Sequence, residues 1–490
     1  MKQQTVVIIG GGVGGLATAC LLAKAGYHVT VLEKNNQLGG RAGQLQANGF
    51  IFDTGPSWYL MPDVFERFFS NMNERLEDHL RLVRLSPAYR VFYKDTNQHI
   101  DITSNLEADA ATFGSIEPGA GARLTRYLSR AAYTYNVSLD RFLYKNYDRP
   151  ADFMTPEVLR AAPKLSLFSS MDRYVNKYFK DPRLQKIMEY PSVFLGASPY
   201  KTPALYSLLS HTDFTQGVFY PRGGMYEIIK ALLRIGKKHG VTYQTNAAVS
   251  RIIVEHGRAI GVEVNDTSLR ADIVISNADM HHTETALLPA EYRDHSARYW
   301  RTRTLAPSAL LLYLGVNKQY PSLAHHNLLF TSNWRQNFAE LETPAHFPTD
   351  PSLYVCAPSK TDPSVAPKGH ENLFVLVPVA AGLHYTADEL HTFSDAVLQT
   401  LERELHLPDL RRHLVYQKSF CVDDFASQFN SQSGTGLGLS HTRNQTALLR
   451  PRNKSKKVKG LYYVGATTHP GIGLPPVLIS AELVSKRILS

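Results

Sequence analysis

Cysteine is scarce in this 490-residue chain. Cys20, Cys356 and Cys421 lie far apart and form no C-x-x-C pair. Such spacing excludes a disulfide framework and a cysteine zinc site, and it suits a reducing compartment. The histidine pairs His281-His282 and His325-His326 lack a partnering carboxylate pattern, so no metal is expected. Long apolar runs are also missing, with one exception. Val6 to Ala23 is nearly free of polar side chains and has the profile of a signal peptide or membrane span. Its glycine cluster would make a poor lipid-facing helix, and a nucleotide-binding turn explains the same residues better. There is no internal repeat, low-complexity linker, nucleophile elbow or nucleic-acid motif. The net charge of +10 therefore fits a basic soluble protein or an anionic membrane surface, with no nucleic acid as partner.

What is present is ordinary globular composition, 43% hydrophobic and 20% charged, in a chain too long for one core. Thr5–Ile9 reads T-V-V-I-I, a short apolar strand. Gly10-Gly11-Gly12-Val13-Gly14-Gly15 follows and fits G-x-G-x-x-G. A helical run over Leu16–Ala25 is stopped by Gly26, and a second strand, His28–Leu32, ends in Glu33. In order, these parts form a flavin or nicotinamide dinucleotide site. Gly10 permits the tight turn, Gly12 lets the backbone approach a diphosphate, and Gly15 lets the helix lie close on the sheet. The helix start offers N–H groups and partial positive charge to the phosphates. Glu33, about 18 residues past Gly15, stands where an acid accepts ribose hydroxyls.

Further along, apolar spacing predicts a helix over 63–84, strands within 85–104 with a turn at Lys94–Gln98, and helices over 120–215. This helical stretch is rich in aromatics. Most of them are expected to pack a core, and some to line an apolar tunnel or a membrane-facing surface. A helix over Tyr226–Gly236 and strands near 241–245, 248–255, 259–264 and 271–280 return to the βα pattern. Ser308–Val316 and Leu373–Val379 read as strands and Ala387–Leu405 as a helix. Near the end, Leu461–Gly465 is a strand into glycine, 466–473 a loop, and Leu474-Pro475-Pro476 a helix start. In a flavoprotein such a helix end aims its positive pole at the pyrimidine edge of the ring. The expected fold is α/β, with a discontinuous Rossmann-type dinucleotide-binding domain (1–70, 218–285 and 440–490), an FAD-binding domain on the resemblance that follows. A mixed-sheet substrate domain (71–119 and 286–439) and a helical, membrane-facing subdomain (120–217) complete it.

Gly39-Gly40-Arg41-Ala42, Phe52-Asp53-Thr54-Gly55-Pro56, Tyr220–Gly224, Ser276–Asp279 and Val464–Gly471 join the opening fingerprint in one pattern. Together with Leu159–Pro163 and Pro203–Ser207 it resembles the bacterial and fungal phytoene desaturases of the flavin amine-oxidase-like superfamily. The resemblance spans most of the chain. It implies FAD, held by Gly10, Gly12, Val13, Gly14, Gly15, Glu33, Lys34, Gly40, Arg41, Gly55, Pro56, Val249, Gly465, Gly473 and Val477. It also implies a C40 polyene substrate, a peripheral position on the cytoplasmic side of a membrane, and re-oxidation by a quinone or oxygen. Polar residues beside the flavin carry over to Glu157 and Arg160, with Glu157 standing where the family usually has aspartate. Glu157 is then a candidate base and Arg160 a candidate for stabilising charge or steering the polyene. As plain structure, the same two residues would offset a helix dipole and form a surface ion pair.

A polyene offers no heteroatom, so its recognition must rest on burying hydrocarbon in a long apolar channel. Hydride transfer to flavin is the cofactor's part, and a proton must leave the adjacent carbon. The basic run Arg450–Lys459 reads either as a headgroup contact, at roughly 1 kcal/mol per close cation, or as a solvated loop, the favoured reading. Rival readings are another carotenoid or C30 diapocarotenoid desaturase, a flavin oxidase of this architecture acting on amines or porphyrinogens, and a non-enzymatic prenyl-lipid escort. The intact phosphate loop argues against the escort.

Overall fold

The computed structural model describes residues 4–94, 96, 98–148, 152, 169–446 and 449–490. Glu157 and Arg160 lie outside the described residues, as do Thr155-Pro156 before them.

A parallel five-stranded sheet has the order Leu461–Tyr463, Ile273–Ser276, Thr5–Ile9, His28–Leu32, Thr242–Gln244. Its central strand is buried from Val6 to Ile9, which is why it reads as an unbroken apolar run. Val13–Lys24 is apolar almost all round for a related reason. It packs against both the helix Tyr226–Lys238 and the C-terminal helix Leu474–Leu489. The apolar run Val6–Ala23 is thus a strand, a turn and a helix. Among the described residues no helix is long and apolar enough to cross a membrane.

The second large sheet is seven-stranded and mixed. Its order is Leu414–Phe420, Ser308–Val316, Glu371–Val379, Leu353–Cys356, His326–Phe330, Tyr89–Tyr93, His99–Ile102, with one parallel pair, His326–Phe330 on Tyr89–Tyr93. Alternation sorts its side chains between two layers. Leu310, Leu312 and Leu314 join a leucine and valine core under the helix Ala387–Glu404. Ala309, Leu311 and Tyr313 face an aromatic core on the other side. The same split holds for Leu373, Val375 and Val377 against Phe374. One face of this sheet is therefore a stable backing, and the other is free to line a site.

The helix expected over 63–84 is shorter. Pro62–Asn71 is helical, but Asn73 adopts a left-handed φ of 57° and breaks it. Leu76 and Leu80 are still buried, in and just after a short 3-10 turn, so helical spacing persisted where the helix did not. In the aromatic region, Ala120–Ser138 is the longest helix. Tyr127, Tyr135, Tyr174 and Phe179 are core residues, whereas Phe142, Tyr147, Tyr190, Phe194 and Tyr206 border a cavity.

Candidate active site

The opening turn is built by backbone constraint. Gly10 has φ of 95°, open to glycine without strain. A Cβ on Gly15 would lie 2.3 Å from the Gly10 carbonyl oxygen, so only glycine lets the helix start this close to the strand. Gly15 does not border the cavity; its part is this packing, one layer behind the other glycines. Gly10, Gly12, Val13 and Gly14 do border it. The helix begins at Val13, and its first N–H groups have no intrahelical acceptor, which leaves them for an anion.

Glu33 is buried at the tip of the second strand. Its Oε2 accepts the Gly11 N–H at 2.8 Å, and its Oε1 accepts two bonds from Asn35, each 2.9 Å. A carboxylate has about four acceptor positions, so Glu33, which borders the cavity, retains capacity for a ribose hydroxyl. Lys34 borders the cavity as well, with its ammonium engaged by protein acceptors. Its Nζ donates to the Ser427 carbonyl at 2.6 Å and to Asn430 Oδ1 at 2.9 Å, tying the nucleotide sheet to the helix Val422–Phe429. Gly40, Gly55, Pro56 and Val249 border the same cavity.

Arg41 tests whether this cradle fits a dinucleotide. Its guanidinium is buried, yet Nε and Nη2 have no hydrogen-bond partner among the described residues. Burial pushes its pKa down, with Asp279 pulling it back up. A buried cation with orphaned donors is costly unless an anion meets it. Arg41 borders the cavity beside Gly12 and Gly40, where a diphosphate would satisfy those donors. The residues present fit FAD.

At the other pole, Gly465, Gly473 and Val477 border the cavity. Gly473 caps the helix Leu474–Leu489, and Val477 N–H already bonds the Gly473 carbonyl. Pro475 and Pro476 have no N–H. The helix start thus contributes its dipole and the single N–H of Leu474, rather than a full set of donors. The loop before it is clamped. His441 Nε2 accepts the Ile472 N–H at 3.1 Å, so the neutral ring carries its proton on Nδ1, which meets the Tyr206 hydroxyl at 2.6 Å. That hydroxyl in turn bonds Thr446. Burial first, and then Arg450, holds His441 well below the usual imidazole range. Arg450 itself is buried and donates to the carbonyls of Leu439, Gln445 and Ala466. It is therefore not a headgroup cation. Exposed cations in that run are Arg452, Lys454, Lys456, Lys457 and Lys459, alternating in part with buried Asn453, Ser455 and Val458.

The cavity does not end at the cradle. It continues, with a volume of about 1360 Å³, over the free face of the seven-stranded sheet. That exceeds the roughly 300–1,000 Å³ typical of one small-molecule ligand. Its far part is walled by Leu311, Leu328, Phe330, Trp334, Phe338 and Leu376. Trp58 and Tyr190 border it too, with Tyr190 donating to buried Asp213 at 2.7 Å.

Residue-level reading missed several members. Asn277 stands between the two poles: a Cβ on Gly12, Gly14 or Gly465 would lie within 3.1 Å of its side-chain amide. Its signal was position, immediately after a buried strand within Ser276–Asp279. His441 carried no local signal. Cys356 and the pair His325-His326, distant in sequence, converge beside the cavity without bordering it.

Comparison with known proteins agrees with this geometry. Residues 13–489 match the family model of flavin containing amine oxidoreductase. The chain is 45% identical over 490 residues to the carotenoid 3,4-desaturase of Haloarcula japonica, covering 100% of this chain and 99% of that protein. It is 38% identical over 497 residues to the zeta-carotene-forming phytoene desaturase of Myxococcus xanthus, covering 100% and 94%. An oxidoreductase of Methanosarcina mazei shares the fold, with a TM-score of 0.65 at 19% identity over 98% of this chain and 100% of the other. Fingerprint, buried arginine and matched length lead to one assignment: the chain belongs to the flavin-containing amine oxidoreductases, in their carotenoid desaturase branch, and is an FAD-dependent oxidoreductase acting on CH–CH groups.

Proposed function

We propose that this enzyme introduces double bonds into phytoene, or into a polyene derived from it. The observation that supports the reading is the single cavity shared by the nucleotide cradle and an apolar, aromatic-walled channel. FAD, when bound, supplies the hydride acceptor. The chain's own contribution is to bury the hydrocarbon, align two adjacent CH groups and exclude water. Each desaturation removes one hydride and one proton from neighbouring carbons. Glu157 is proposed to take the proton and Arg160 to steer the polyene, both by resemblance. A quinone or oxygen is proposed as the terminal electron acceptor. The enzyme is proposed to work peripherally on the cytoplasmic face of a membrane, where its substrate dissolves.

The name of the Haloarcula relative favours a second reading within the same chemistry, a later step on an already desaturated carotenoid. Incubating the purified chain with FAD, a quinone and liposomes carrying either phytoene or a more desaturated carotenoid separates the two by product chromatography. Conversion of phytoene supports the first reading, and conversion of the longer chromophore alone supports the second. Inert carotenoids together with peroxide release from amines would sink both. Liposome flotation indifferent to salt and lipid charge would remove the electrostatic part of the membrane proposal.

A further inference from the structure

Two strands of the sheet that walls the cavity, His326–Phe330 and Leu353–Cys356, run antiparallel, with His326 directly opposite Cys356. His325 precedes the first strand. All three side chains are buried, and one nitrogen of each histidine and the Cys356 Sγ lie within 4.8 Å of one another. The hydrogen bonding of the two rings is matched. His325 Nδ1 meets Thr361 Oγ1 at 2.7 Å, and His326 Nδ1 meets the Tyr354 hydroxyl at 2.7 Å. Tyr354 is held in turn by Ser57 Oγ at 2.8 Å. Nε2 of both histidines has no partner among the described residues. Metal-binding histidines show this division: one ring nitrogen bonds an oxygen that fixes the tautomer, and the other offers its lone pair to the ion. The rings are also fixed by packing. His326 stacks on Trp58 with centroids 4.2 Å apart and planes 8° apart, and His325 lies against Tyr220 at 4.7 Å.

We propose that His325, His326 and Cys356 form a three-coordinate site for a soft monovalent metal, Cu(I). Two imidazoles and a thiolate select soft or borderline ions. Charge decides between them. As the S–Cu bond forms, the Cys356 proton leaves to solvent, and Cu(I) with one thiolate is neutral. Zn(II) in the same set would leave one positive charge buried, and three ligands fall short of its usual tetrahedron. The ion sits one layer behind Trp58 and Ser57, where it staples two neighbouring strands of the substrate sheet. It takes no part in hydride transfer.

The test is the metal content of FAD-loaded protein made in copper- or zinc-supplemented cells and desalted in the presence of a chelator. Expected is about one copper per chain, with X-ray absorption showing two nitrogens and one sulfur. Cys356→Ala should drop the copper at least about tenfold at unchanged FAD content. If that variant loses its flavin, the wild-type absorption spectrum decides alone. Wild-type protein with less than about a tenth of an equivalent of either metal, or metal retained in full by Cys356→Ala, would overturn the site. Zinc on the same three residues would overturn the choice of copper.

Discussion

The Asp53 carboxylate accepts the main-chain N–H of Met225 at 2.7 Å, and its other oxygen accepts that of Tyr226 at 3.0 Å. One side chain thereby caps the start of the helix Tyr226–Lys238 and anchors the turn that carries Gly55 and Pro56 to the cavity. Two motifs more than 160 residues apart in the chain, 52–56 and 220–224, are joined at this point. Burial pushes the Asp53 pKa up to about 7, with the Met225 and Tyr226 N–H groups opposing. Asp53→Ala leaves both N–H groups unpaired and should cost about 1–3 kcal/mol, with FAD occupancy falling alongside. Asp53→Asn keeps an acceptor and should cost less. Thermal melts of the two variants check this; equal midpoints would count against the cap.

Arg41 carries the diphosphate charge in this reading. Arg41→Ala should weaken FAD binding by roughly 10–100-fold, since a hydrogen bond to a charged group contributes about 1.5–3 kcal/mol. Flavin fluorescence titration of apoprotein measures it. Unchanged affinity would remove Arg41 from the cofactor site.

Gly15 and Gly114 are both helical glycines with opposite prospects. A Cβ at position 15 meets the Gly10 carbonyl at 2.3 Å, whereas at position 114 it meets nothing within 4 Å. Gly15→Ala should push the helix off the sheet and yield colourless or insoluble protein. Gly114→Ala should keep its flavin and gain up to about 1 kcal/mol of stability from helix propensity. Expression yield and flavin absorbance of the pair distinguish the two outcomes.

Asp213 accepts from Tyr190 at 2.7 Å and from Tyr89 at 3.1 Å, deep in the aromatic core. Burial raises its pKa to about 7, against the pull of the two phenols. A raised acid pKa means the folded state holds a proton that the unfolded chain has released. Its contribution is complete below about pH 4 and is lost as pH rises to about 7, at up to about 1.4 kcal/mol per pH unit. Asp213→Asn removes this dependence. The stability difference between wild type and variant, followed by denaturant melts from pH 4 to 8, should therefore move against the wild type as pH rises. A flat difference would show that Asp213 titrates normally.

Local pattern carried much of the architecture. The strand–turn–helix–strand over residues 5–33 was legible because its contacts close within one βαβ unit. The strand pairing of Ser308–Val316 with Glu371–Val379 was half legible. Its apolar runs marked both strands, but nothing in them told which face would back a helix and which would wall a cavity. The residues 63–84 misled, because amphipathic spacing continues through Leu76 and Leu80 after Asn73 has ended the helix. Arg450 misled in the other direction: in a run of cations it reads as solvated, yet three carbonyls bury it.

The sequence by itself determined the dinucleotide cradle, because glycine placement, helix start and terminal acid are constraints between near neighbours in the chain. Only the tertiary structure decided that Asn277 wedges between the two poles, that His441 holds the loop at Ile472, and that Cys356 comes to lie opposite His326. Those meetings depend on which strands become neighbours across tens to hundreds of residues. Sheet order is set by the burial of whole faces against one another, a property that no short stretch of chain contains.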